Sequence, residues 1–185
     1  MTKALVIIDV QEGILPEKGS ERPAVRQRFD EVRGRIFGLA GEARRQGLPV
    51  IFVQHNGEPG HRLEVGTPGW EICKDLGRTN DDVVVNKTAC DSFYETDLQD
   101  VLASHGVRHL VVGGLMTQYC VDTTCRRAVS LGYDVTLVAD AHTTADMPKL
   151  NVEQIVDHHN ALLDGFDAGT AMIRVKPASE AFVSA

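Results

Sequence analysis

No apolar run in the chain comes near the length of a bilayer-spanning helix, so no membrane segment is predicted. Basic charge is also short. Nineteen Lys and Arg stand against 26 Asp and Glu, a formal net charge of -7, whereas phosphate binding needs a concentrated cationic face. Nucleic acid is therefore excluded as a partner class. The four cysteines, Cys73, Cys90, Cys120 and Cys125, form no CxxC pair, and nothing in their spacing indicates an oxidising compartment. The first apolar run, Ala4–Ile8, lacks the small-residue cleavage region of a signal peptide and leads into Asp9, which predicts a cytoplasmic protein. Internal repeats, low-complexity tracts and linkers are absent too.

What is present is ordinary globular material. A length of 185 residues with 43% hydrophobic and 24% charged content suits one domain, residues 1–185, with a sheet covered on both faces. Ala4–Ile8 is continuously apolar, as a strand buried on both faces should be. After a loop containing Gly13, Pro16 and Gly19, residues 25–45 place Phe29, Val32, Ile36, Leu39, Ala40 and Ala43 on one stripe, an amphipathic helix stopped by Gly47. Further strands are predicted at Val50–Val53, Val83–Val85, His109–Val112, Val135–Ala139 and Ala171–Val175. Helices are predicted at Leu98–His105, with Thr96 as candidate N-cap, at Gln118–Leu131 and at Val152–Leu163. Gly57 to Gly69, with four Gly and two Pro, reads as a loop or lid. Strands alternating with helices imply a three-layer α/β/α sandwich around a mostly parallel sheet, whose ligands bind beyond the carboxyl ends of the strands.

Three chemically distinct residues fall at those ends. Asp9 closes the first strand, Lys87 follows the third, and Cys120 follows the fourth across a short turn. Each has an ordinary structural reading: a turn-forming Asp, a solvated Lys, a packed Cys. Together they also have a chemical one. A cysteine in the first turn of a helix lies near unpaired N–H groups and the positive end of the helix dipole, which predicts a lowered thiol pKa. A neighbouring ammonium would lower it further, and Asp9 could take the thiol proton and return it to a leaving amine. Backbone N–H groups at the helix start could face an oxyanion.

The stretch Gly114-Leu115-Met116-Thr117-Gln118-Tyr119-Cys120-Val121 resembles the GxxTxxCV nucleophile motif of isochorismatase-like cysteine hydrolases. Val6-Ile7-Ile8-Asp9-Val10-Gln11 is similar to that family's opening strand with its DxQ signature. Lys87-Thr88-Ala89-Cys90-Asp91-Ser92-Phe93 is similar to its lysine segment KxxxSAF, and Arg127-Ala128 through Asp140-Ala141 to the part after the nucleophile. The likeness runs from about residue 3 to residue 164 and keeps the family's order. It implies Cys120 as nucleophile, Asp9 as general base and then acid, and Lys87 as the group that positions both. It further implies a cis peptide at Leu115–Met116, the N–H groups of Met116 and Cys120 as oxyanion hole, and Thr117 as the residue holding that turn. The activity implied is hydrolysis of a C–N bond in a small amide, lactam, ureido or carbamoyl compound through a thioester, without a cofactor. A homo-oligomer, dimer or tetramer, is implied as well.

Two departures from the family pattern stand out. Asp91 replaces a frequently small residue, with little expected consequence. The metal-binding D-x-H of the nicotinamidase branch is missing, since His55 and Gly57 stand where its Asp and His would fall, so no metal is expected. Gln11, His55, Trp70 and Tyr119 are the candidate substrate contacts, Gln11 with a structural alternative because it leans away from Asp9 on an extended backbone. His158 and His159, adjacent on a helix, suit no common site, and His61 has too little context to assign. The rival readings are a vinyl ether hydrolase of the isochorismatase type, against which Cys120 weighs, and a non-catalytic binding protein on the same fold. A redox sensor pairing Cys120 with Cys125 is disfavoured, because residues five apart on one helix diverge.

Overall fold

The computed structural model describes residues 2–15 and 21–183; Pro16 and Gly19 of the predicted loop lie outside them. Six strands, β1 (Thr2–Ile8), β2 (Val50–His55), β3 (Val83–Lys87), β4 (Val107–Leu115), β5 (Asp134–Thr143) and β6 (Ile173–Lys176), form one sheet. Their order is β3-β2-β1-β4-β5-β6, and every pairing is parallel. Four helices accompany them: α1 (Pro23–Arg45), α2 (Leu98–Ser104), α3 (Asp122–Ser130) and α4 (Val152–Leu163). Among the described residues no helix is long and apolar enough to cross a membrane.

The continuous apolar strands are explained by the two cores they separate. From β1, Leu5 and Ile7 pack with the α1 stripe and with Val152 and Val156 of α4. Ala4, Val6 and Ile8 point the other way, onto Leu98 and Leu102 of α2 and Cys125 and Ala128 of α3. Burial of each such Leu or Ile stabilises the fold by about 1.5–3 kcal/mol. The α1 stripe matches its sequence pattern, with Val25, Phe29, Val32, Ile36, Leu39, Ala40 and Ala43 all buried.

Four boundaries differ from the sequence reading. β4 begins at Val107 and β5 runs on to Thr143, because both are central strands whose neighbours continue the ladder. The helix expected over Gln118–Leu131 is two pieces, one turn of π-helix at Thr117–Val121 followed by α3. α2 is entered through Asp97 rather than Thr96, whose hydroxyl instead donates to the Ser92 carbonyl at 2.6 Å. The segment read as a loop or lid, residues 57–69, is a well-tied loop. Gly57 N–H donates to Leu63 O, Glu64 N–H to His61 O and Trp70 N–H to Thr67 O, while residues 12–13 pair with 69–71 through Glu12 N–H to Glu71 O and Gly13 N–H to Gly69 O.

The sheet order reverses direction between β1 and β4, which makes their carboxyl ends the natural crevice. The two strands approach closely there because Gly114 has no side chain. A Cβ at that position would lie 2.1 Å from the Ile8 carbonyl oxygen, and Gly114 has φ +128°. Gly114→Ala is accordingly expected to cost about 3 kcal/mol or more, the sum of a backbone clash and a disfavoured dihedral. A urea unfolding midpoint equal to that of the parent chain would contradict this account of the β1–β4 contact.

Candidate active site

Asp9 is the first residue past β1. Its N–H donates to Val53 O at 2.9 Å and its carbonyl accepts from Gln11 N–H at 3.0 Å, so the chain turns at once. Its φ of 52° lies in the left-handed region that Asp tolerates better than the β-branched residues preceding it. Lys87 is the last residue of β3, with its side chain wholly buried. Adjacent strands are about 4.8 Å apart, so β3 lies roughly 10 Å from β1 with β2 between them, a gap suited to a long side chain.

The Lys87 ammonium spends all three donors. It pairs with Asp9 Oδ2 at 2.7 Å, donates to Cys120 Sγ at 3.2 Å and donates to the Ala89 carbonyl at 2.8 Å. The structure thus brings Asp9, Lys87 and Cys120 together. Asp9 Oδ1 is buried and makes no hydrogen bond among the described residues. The thiol interacts with the Asp9 carboxylate without reaching an aligned hydrogen bond. Removing charges from water is costly unless they are paired, and here the pairing is short on both sides.

The electrostatics correct one expectation. Burial raises the Asp9 pKa above the usual carboxylate range, against the opposing pull of Lys87 and the thiol. Burial lowers that of Lys87, but the Asp9 and Cys120 charges outweigh it and the net shift is upward, which keeps the ammonium charged. Cys120 is raised, not lowered: burial acts first, the Asp9 charge second, and Lys87 only partly offsets them. The helix-start argument fails because the local turn is not a free helix N-terminus. The N–H groups of Tyr119 and Val121 are both spent on the Met116 carbonyl. The site therefore sets a charged ammonium beside a carboxyl and a thiol whose ionisation burial opposes, and those two titrate as a coupled pair.

Two polar networks brace the site, one at the turn that carries the sulfur, where Thr117 was expected to act, and one at the lysine segment. The Leu115–Met116 peptide is cis. Beside it, Thr117 Oγ1 lies 2.9 Å from His142 Nδ1, and His142 Nε2 lies 2.9 Å from Asn160 Oδ1. Asn160 Nδ2 donates to the Ala139 carbonyl at 3.1 Å, which turns Oδ1 toward the imidazole. His142 Nε2 is then the donor, and Nδ1 accepts the Thr117 hydroxyl proton. Burial pushes His142 down to about 4, so the ring is neutral. On the other flank, Ser92 and Thr124 share a hydrogen bond of 2.8 Å that ties the lysine segment to α3. Asp91 caps Phe93 N–H at 2.8 Å and pairs with Arg127 at 3.6 Å. Ser92 stood inside the quoted lysine motif, whereas His142 and Asn160 carried no sequence signal, being joined only by the fold.

The remaining candidates separate. Gln11 is fully buried and both its amide hydrogens are committed, to His55 O at 3.0 Å and Trp70 O at 2.8 Å, while its oxygen accepts from His55 N–H at 2.9 Å. It braces backbone and has no donor left for substrate. His55, level with Lys87 in the ladder, is half-buried, and burial followed by the Lys87, His61 and Arg62 charges lowers it to about 4. Trp70 is fixed by its indole N–H to Asn56 Oδ1 at 2.8 Å. Tyr119 is exposed at 45%, beside the nucleophile turn. Arg62, overlooked in the sequence, places Nη2 3.6 Å from the Met116 sulfur. Cys125 is buried in the apolar cluster beneath α3. His158 and His159 lie on α4 with their rings nearly perpendicular, and His159 Nδ1 contacts the Ile155 carbonyl. Among the described residues no group of three or more His, Cys, Asp or Glu is arranged to hold a metal ion. Two cavities, of about 510 and 410 Å³, are lined by α1 with residues 178–183 and by Gln54 with residues 70–74, and neither is lined by Asp9, Lys87 or Cys120. Cys120 itself is only partly buried and open to solvent from the sheet's carboxyl edge.

Comparison with known proteins gives a consistent picture. An isochorismatase domain profile matches residues 3–174. A streptothricin hydrolase of Streptomyces noursei is 37% identical over 146 residues, 79% of this chain and 51% of that protein. The chain thus spans about half the length of the streptothricin hydrolases it matches. The ureidoacrylate amidohydrolase of Caulobacter vibrioides is 28% identical over 175 residues, 76% of each chain. The crystal structure of an isochorismatase from Pseudomonas putida KT2440 superposes with a TM-score of 0.84 at 29% identity, over 96% of this chain and 89% of that one.

The buried neutral imidazole makes stability depend on pH. His142 has a folded pKa near 4 and an ordinary unfolded value of 6.5, so the unfolded chain binds the extra proton first and stability falls as pH drops from 6.5 toward 4. The full effect is about 3 kcal/mol. His142→Gln should flatten the urea midpoint against pH by one proton's worth across that window, and an unchanged slope would show that His142 is not the buried titrating group.

Proposed function

The chain belongs to the isochorismatase domain family, and from that premise we propose that it is a cysteine hydrolase cleaving the C–N bond of a small amide, lactam, ureido or carbamoyl compound. One observation carries the reading: a single buried ammonium binds both the Asp9 carboxylate and the Cys120 sulfur. Relatives named as a streptothricin hydrolase and a ureidoacrylate amidohydrolase support hydrolysis of this bond class.

In the proposed cycle Asp9 takes the thiol proton as Sγ attacks the substrate carbonyl carbon. The anion moves from carboxylate to sulfur and then to the carbonyl oxygen, and Lys87 remains a cation throughout. The N–H groups of Met116 and Cys120 are assigned to that oxygen. As the tetrahedral intermediate collapses, the C–N bond breaks and the leaving nitrogen collects the proton held by Asp9. A thioester remains. Asp9, again a carboxylate, accepts a proton from water, whose oxygen attacks the thioester, and expulsion of sulfur releases the acid and restores the thiol. Thr117, braced by His142 and Asn160, keeps the nucleophile turn in register during both attacks. His55, Trp70 and Tyr119 are proposed to face the substrate.

Cys120→Ala should lower ammonia release from a panel of primary amides and carbamoyl compounds by about a thousandfold or more, with the fold intact. Retained turnover in that variant would remove the covalent route. The pH profile offers an independent check. The reaction needs one anion shared by Asp9 and Cys120, so kcat/KM must fall as pH drops through the Asp9 pKa. Because burial raises that pKa, the acid limb should lie above the usual carboxylate position of about 3.9. A limb at or below it would exclude Asp9 as the base.

A further inference from the structure

Among the described residues, most arginines pair with a carboxylate, as Arg22 does with Asp146 and Glu153, Arg44 with Asp82 and Arg126 with Asp122, and Arg62 is one of several that do not. Its guanidinium leans inward onto Met116, the residue of the nucleophile turn, although the residue as a whole is exposed at the loop surface. Burial lowers its pKa, and no carboxylate acts on it in return. Glu64, two residues on in the loop, accepts the Gly60 N–H at 2.8 Å. Arg62 also acts on His55 at the edge of the site, where burial, Lys87, His61 and Arg62 together lower the imidazole pKa.

The Arg62 backbone is also unusually constrained. Its carbonyl oxygen lies 2.5 Å from where a Cβ on Gly13 would sit and 2.3 Å from that of Gly69, so the three segments pack at backbone contact. The next residue, Leu63, is buried in the α1-side core and accepts the Gly57 N–H at 2.9 Å. A partly desolvated cation with no counter-charge is unfavourable unless something else supplies the anion, and holding it on a rigid loop reduces what binding must order. The planar guanidinium fork matches a carboxylate through two parallel hydrogen bonds.

We propose that Arg62 is the carboxylate-binding group of this site, and that the substrates are small amides, ureido or carbamoyl compounds bearing a carboxylate. The assignment rests on the cysteine hydrolase reading for its meaning, but its test does not require a known substrate. Iodoacetate and iodoacetamide alkylate the same sulfur and differ in presenting a carboxylate or a neutral amide. Their rates at Cys120, followed by peptide mass spectrometry, give an iodoacetate-to-iodoacetamide ratio in which the thiolate fraction cancels.

That ratio should fall about tenfold in Arg62→Gln, as expected for loss of a charge-assisted hydrogen bond, and recover in part in Arg62→Lys, which keeps the charge but not the fork. Cys90, exposed and on another segment, supplies the ratio expected without Arg62, and alkylation of buried Cys125 reports any unfolding. A Cys120 ratio unchanged in Arg62→Gln, or one equal to that of Cys90 in the parent chain, overturns the proposal. Failure of every amide to turn over would instead overturn the hydrolase reading and leave the alkylation ratio intact, so the two failures are separable.

Discussion

The Lys87 ammonium is the fixed point of the site. Its three hydrogen bonds to Asp9, Cys120 and Ala89 leave it no freedom, and its charge offsets the cost of an anion beside it at the buried Asp9. One cation supports one anion well. Burial raises the pKa of both the carboxyl and the thiol, and the Asp9 charge raises the thiol further, so one ammonium sits beside two acids that titrate together. Moving a proton from sulfur to carboxylate then relocates the charge beside the same ammonium without creating a new one. In a low-dielectric setting this transfer is far less costly than separating charge would be.

That arrangement explains features of the fold that packing alone would not. The strand order sets β3 and β1 one strand apart, a distance a lysine can bridge. Gly114 lets β4 close on β1 at the level of Ile8, immediately before the two chains diverge into Asp9 and the nucleophile turn. The left-handed Asp9 ends the strand abruptly, and Gln11 locks the outgoing chain to the backbone of His55 and Trp70. Asn160, His142 and Thr117 then anchor the turn from α4, while Ser92 and Thr124 anchor the lysine segment to α3. Both reactive side chains are thus braced from elements on opposite faces of the sheet.

Much of this was legible in the sequence, for reasons that can be named. Doubly buried strands write themselves as apolar runs, and α1 as a stripe of seven buried residues, because burial dictates residue type position by position. Asp9, Lys87 and Cys120 were visible because strand ends in a parallel sheet share an edge whatever their separation in sequence. The direction of the Cys120 shift was not legible. A helix-start argument uses local backbone only, while the decisive influences are burial, which depends on the assembled fold, and the Asp9 carboxylate, more than one hundred positions away. His142 and Asn160 were invisible for a related reason, as a histidine inside a strand shows nothing until the helix that covers it is in place. Residues 57–69 read as a loop or lid because glycine and proline mark turns, and the hydrogen bonds between those turns, which sequence does not show, make it a tied loop. Arg62 escaped notice because an arginine in a polar loop is ordinary until its lack of a carboxylate can be seen.

The raised thiol pKa bears on how such a site is controlled. A cysteine held as thiolate at rest is exposed to oxidation and to any passing electrophile, since thiolate is the reactive form. Here burial and the Asp9 charge favour the thiol at rest, and in the proposed cycle the nucleophile forms only as the proton moves to Asp9. Under the proposed chemistry a bound substrate would favour that movement twice. It would displace water from the partly open side of Cys120, strengthening the field of Lys87, and its carbonyl would offer the new charge an acceptor aligned with backbone N–H groups. A substrate carboxylate on Arg62 would then fix the carbonyl's distance from the sulfur, so that recognition at the loop and proton transfer at the sheet edge become one event. The same coupling explains why a partly exposed cysteine can be tolerated at all: its reactivity depends less on exposure than on which molecule arrives.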